Sequence, residues 1–152
     1  MPSFFVEGTP APQGSKSGFI RGGRVVLVES SKKVKPWREA VGAKAREAVE
    51  RIEGAVELRV LFIMPRPKSL PNSKITPPCV KRTGDLDKLI RSTNDALTEL
   101  AFEDDSNVVL IKAGKVTAES GEVPGAYIEV IPVESGNDHR KIIEQSVNGR
   151  MT

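Results

Sequence analysis

Between positions 84 and 105 the apolar residues Leu86, Leu89, Ile90, Ala96, Leu97 and Leu100 recur every three or four places. That spacing predicts an amphipathic helix with one core-facing stripe. It also sets Asp87, Arg91 and Asp95, at i, i+4 and i+8, on a polar ridge along another face. An earlier stripe of Trp37, Val41, Ala45, Ala48, Val49 and Ile52 predicts a helix through about residue 53, with Pro36 in its first turn. Trp37 at that spacing reads as a core or dimer contact rather than a platform for a nucleic-acid base.

Elsewhere the pattern is that of strands. Phe4-Phe5-Val6 is a short first strand, and residues 19–28 read as a hairpin turned by Gly22-Gly23. Residues 55–64 begin in alternation and end in a continuous apolar run, as a central strand does. Residues 107–116 and 124–132 are two further strands, for which an antiparallel hairpin with Gly121 in its turn is the simplest arrangement. Residues 9–16 form a loop presenting Gln13, Ser15 and Lys16, because proline and glycine there exclude regular structure. A proline-rich basic loop spans 65–78, and loops of that length inside a domain are usually functional or mobile. These elements give an α+β fold, a mixed sheet with two main helices packed on it. One domain covers residues 1–133, and a polar tail, disordered or forming a loosely docked helix, covers 134–152.

The chain has 152 residues, 38% of them hydrophobic and 28% charged, enough for one domain with a real core. No apolar run is long enough to span a membrane. Met1-Pro2-Ser3-Phe4 lacks the basic-then-apolar layout of a signal peptide, so a cytoplasmic protein is expected. Cys79 is the only cysteine and His139 the only histidine. An internal disulfide, a cysteine-based zinc cluster and Ser-His-Asp or Cys-His catalysis are therefore excluded. The net charge is only +3, but its distribution matters more. Cations crowd residues 16–24, 32–38, 66–81 and 88–91, whereas acids crowd the start and the far side of the second helix. A basic surface around an acidic pocket is what a nuclease needs, since Lys and Arg neutralise phosphates while carboxylates hold a cation.

Asp85 stands just before the second helix and Asp87 in its first turn, and Asp104-Asp105 follow after a short connection. Each has a bland local reading, as a helix cap, a first-turn acid or a turn residue. Taken together they suggest a divalent-cation site, because Mg²⁺ is held by one or two carboxylates and keeps the rest of its shell for water and phosphate. Arg91, on the Asp87 ridge, is placed to stabilise charge building on a phosphate. Asp95 reads as structural, pairing with Arg91 or a neighbouring chain. Arg21 and Arg24 at the hairpin tip, Lys81 and Arg82 before the helix, and Lys88 within it are candidate DNA contacts. An EF-hand is rejected, because counting from Asp85 its sixth and twelfth positions hold Ile90 and Ala96.

The run Asp85-Leu86-Asp87-Lys88-Leu89-Ile90-Arg91, then Asn94-Asp95-Ala96-Leu97, then Phe102 and Asp104-Asp105-Ser106-Asn107-Val108, resembles the signature of RusA-type Holliday-junction resolvases. The likeness is good over about residues 82–109 and looser from 4 to 133. It implies a small, dimeric, magnesium-dependent endonuclease of the kind phages and prophages carry, cutting four-way DNA junctions in a bacterial or phage-infected cell. The implied metal ligands are Asp85, Asp87, Asp104 and Asp105, with Mn²⁺ able to replace Mg²⁺, and Lys16 becomes a phosphate contact. Lys88 stands where the family usually has Asn, and Arg91 where it usually has an active-site lysine. A lysine can donate a proton to a leaving group, which an arginine almost never does. The alternative is a non-catalytic branched-DNA-binding protein that keeps the resolvase fold.

Overall fold

A computed structural model of the chain describes residues 3–14, 16–29, 32–72, 80, 84–133 and 139–149, with the backbone alone for 16–19 and 26–29. The order of elements is β1 (Ser3–Glu7), β2 (Lys16–Arg21), β3 (Arg24–Glu29), α1 (Val34–Ala48), β4 (Val56–Met64), α2 (Leu86–Leu97), a 3-10 turn (Asp105–Asn107), β5 (Val108–Thr117), β6 (Gly125–Pro132) and α3 (His139–Asn148). Four strands form one mixed sheet in the order β1-β6-β4-β5. β1 and β4 each pair antiparallel with β6, and β4 pairs parallel with β5. The fold is α+β, as the pattern predicts.

The core explains this arrangement. In β4 the residues Val56, Leu58, Val60, Phe62 and Met64 are all buried, and so are Phe4, Val6, Ala126, Ile128 and Val130 on the neighbouring strands. Trp37, Val41 and Ala45 of α1, with Leu89 and Leu97 of α2, cover that face. Trp37 is only 2% exposed. Its indole Nε1–H donates to the buried hydroxyl of Thr93 at 3.1 Å, which satisfies the one polar atom of the ring. Trp37 is thus core and joins α1 to α2.

The expected hairpin of the last two strands is not formed. β5 and β6 lie on either side of β4, and their connection passes the end of β4, where Ala118 N–H donates to Met64 O at 2.8 Å. A strand as apolar as β4 takes the interior of the sheet, because interior strands bury both flanks. β2 and β3 make a separate two-stranded ribbon with Arg21 opposite Arg24. Its turn residues Gly22 and Gly23 have φ of +58° and +77°, the left-handed pair of a type I′ hairpin. Lys16 begins β2 rather than belonging to the preceding loop. Both helices stop short of their apolar stripes: Val49 and Ile52 follow α1, and Leu100 follows α2. In the polar tail α3 buries none of its residues.

Candidate active site at the amino end of α2

The amino end of α2 is fixed by three segments. The first is Gly84, with φ of +98°; a Cβ there would meet Pro12 Cγ at 3.0 Å, so both conformation and space call for glycine. The second is the loop before β2, where Gln13 N–H donates to Lys88 O at 3.0 Å and the Ser92 hydroxyl donates to Ala11 O at 2.6 Å. The third is β5, from which Lys115 Nζ donates to Gly84 O at 2.8 Å.

Asp85 occupies the N-cap position with extended backbone, yet its carboxylate accepts no capping hydrogen bond. Its side chain is 74% exposed and lies 3.6 Å from Lys88 Nζ one turn on. An exposed pair of this kind contributes at most about 1 kcal/mol, so Lys88 is easily drawn away. Asp87 lies in the first turn and is exposed. The positive end of the helix dipole makes this a favourable place for anionic groups. Arg91 is exposed one turn further along, and among the described residues it forms no ion pair with Asp95. The structural pairing expected of Asp95 with Arg91 is therefore absent within the described chain.

Asp104 and Asp105 are placed differently. Asp104 caps the 3-10 turn: its Oδ2 accepts from Ser106 N–H at 2.9 Å, and its own N–H donates to Asn107 Oδ1 at 2.9 Å. Hydrogen bonds from the Ser106 side chain, and then its backbone, hold the Asp104 carboxyl below the usual carboxylate range. Asp105 opens the turn and is exposed. The 12 residues of α2 span about 18 Å, and this turn follows its carboxyl end, feeding β5. β5 then runs back toward the amino end of α2, where Lys115 meets Gly84. Asp85 and Asp87 thus flank one end of α2, and Asp104 and Asp105 follow the other. Among the described residues no three His, Cys, Asp or Glu side chains gather as a cage for an ion.

Two carboxylates remain at the amino end of α2. One is not spent on capping and the other is exposed, which fits an ion such as Mg²⁺ that takes one or two carboxylates and completes its shell with water and phosphate. The expected convergence of all four aspartates within one chain is not built. Of the other candidates, Arg21 and Arg24 are exposed at the hairpin tip. The Lys16 side chain, and all of Lys81 and Arg82, lie outside the described residues.

Sequence reasoning missed Lys115. In β5 it is the register partner of Phe62, so it sits on the core-facing side of the sheet. A lysine at an inward position of a strand is the signal that marks it, because such a cation needs a buried acceptor.

A family model described as endodeoxyribonuclease RusA matches residues 7–131, from the last residue of β1 to the next-to-last residue of β6. The chain is also 34% identical over 138 residues to YqaN of Bacillus subtilis (strain 168), described as an uncharacterized protein; the match takes in 84% of this chain and 95% of that one. The α2 end with its two exposed carboxylates lies inside both matches, and the chain belongs to the RusA endodeoxyribonuclease family.

Proposed function

We propose that the protein is a magnesium-dependent, structure-selective endonuclease that resolves four-way DNA junctions by hydrolysing a phosphodiester in each of two strands. The observation that carries this reading is the Asp85 carboxylate, which stands at a helix N-cap without capping and is exposed beside Asp87. Asp85 and Asp87 would hold the cation. When bound, such a cation polarises the scissile phosphate and acidifies a water molecule. Arg91, one turn on, donates hydrogen bonds to the phosphate oxygens as their charge grows. An arginine is a poor proton donor, so protonation of the leaving oxygen falls to water or to a lysine. Lys88 is near enough to Asp85 to change partners when DNA arrives.

Two cuts related by symmetry suit a homodimer presenting two equal sites. In that arrangement Asp105 serves the site of the second copy, since it follows the other end of α2 from Asp85 and Asp87 in its own chain. The test is to incubate the protein with a synthetic four-way junction and with linear duplex, each with and without Mg²⁺. Symmetric nicking of the junction only, and only with Mg²⁺, supports the reading. Equal cutting of both substrates reduces it to a general nuclease. Binding without cutting favours the branched-DNA-binding protein.

A further inference from the structure

The ridge carrying Arg91 continues into a groove of about 790 Å³ between α1 and α2. On the α1 side the groove is lined by Lys35, Arg38, Gly42 and Arg46, spaced three, four and four residues apart. That spacing puts them on one stripe of the helix. Gly42 leaves the middle of the stripe low. The Arg46 guanidinium folds back over it, its nitrogens 3.7 and 4.0 Å from where a Cβ at 42 would stand. From Lys35 to Arg46 the track runs about 16 Å.

Acids also line the groove: Glu39 on α1, Asp95 on α2 and Glu99 just beyond it. Among the described residues none of Lys35, Arg38, Arg46 and Arg91 is within 4.0 Å of a carboxylate oxygen, although ion pairs do form elsewhere, as between Lys44 and Glu47. Four unpaired cations along one groove point to an anion with repeated charges. A DNA strand supplies one, with a phosphate about every 3.4 Å of helix axis.

We propose that the α1–α2 groove is a DNA-strand track in which Lys35, Arg38 and Arg46 bind successive phosphates and lead the strand to Arg91 and the Asp85–Asp87 end. The proposal rests on the nuclease reading for the strand's destination, but binding tests it alone. The cations read no bases, so they position the strand without choosing its sequence.

Affinity for a fluorescent four-way junction, measured in EDTA to prevent cleavage over about 50–300 mM salt, gives the salt slope. Replacing both Arg38→Ala and Arg46→Ala is expected to weaken binding on the order of 10-fold or more and to reduce the slope by about 2. The pair Arg38→Lys and Arg46→Lys is expected to restore most of the slope. Lys44→Ala removes a cation from another part of α1, away from the groove, and is expected to leave the slope unchanged. An unchanged slope in the double alanine variant overturns the track, and so does an equal loss in Lys44→Ala. A wild-type protein that binds with this slope but never cleaves in Mg²⁺ overturns the nuclease reading and leaves the track standing.

Discussion

Lys115 Nζ, from the second-last strand in the sequence, lies 2.8 Å from the carbonyl oxygen of Gly84, the residue immediately before Asp85. The strand thereby grips the backbone at the point where the two candidate metal-binding carboxylates begin. A hydrogen bond from a charged group contributes about 1.5–3 kcal/mol. Lys115→Met is therefore expected to lower junction cleavage by on the order of 10-fold and to raise the Mg²⁺ concentration for half-maximal rate. Mn²⁺ binding to the free protein, followed by electron paramagnetic resonance, should weaken in parallel. Lys115→Arg keeps the charge and a donor and should recover much of both. Unaltered metal binding in Lys115→Met would remove Lys115 from the site.

Trp37 tests the division between core and DNA surface. It is 2% exposed and hydrogen-bonded to Thr93. Trp37→Ala should cost about 3–5 kcal/mol in stability. Trp37→Phe should cost less and leave junction affinity intact. Lost affinity in Trp37→Phe at unchanged Tm would make the ring a base-stacking platform after all.

The elements with strong periodicity were legible in the sequence: both main helices, the apolar β4 and the Gly22-Gly23 hairpin. The pairing of β5 with β4 instead of β6 was not, because strand order is decided by which strand most needs burial across the whole sheet. Asp85 and Asp87 were legible as a close pair, since two positions at a helix start stay together in any fold. Asp104 and Asp105 were grouped with them on sequence proximity, whereas a helix of 12 residues holds its two ends well apart. Lys115 is hidden inside the strand of residues 107–116, whose pattern alone does not tell which face each residue takes.

Asp104 carries the pH dependence. Its carboxyl is held below the ordinary 3.8 by the Ser106 hydrogen bonds. The cap therefore contributes stability that is complete above pH 3.8 and is lost as pH falls through the lower folded-state value. Asp104→Asn is expected to be less stable than wild type at neutral pH, with the gap closing below that point. Carboxyl NMR should find the Asp104 midpoint below 3.8; a midpoint at or above it contradicts the cap.

Asp105 makes a separate prediction about assembly. If it serves the site of a second copy, Asp87→Asn and Asp105→Asn proteins are each inactive, yet their equal mixture after subunit exchange regains about a quarter of wild-type nicking, because half the dimers then hold one intact site. No recovery in the mixture would show that Asp105 acts within its own chain. Full activity of Asp105→Asn alone would show that it is no site residue.

The most direct measurement is the cleavage rate of a four-way junction in Mg²⁺ by Asp85→Asn and Asp87→Asn, with junction binding measured alongside. Removing one carboxylate from a two-carboxylate cation site forfeits several kcal/mol of transition-state stabilisation, so the rate should fall by at least about 100-fold in each variant while binding persists. Cleavage at the wild-type rate in both variants would contradict the account.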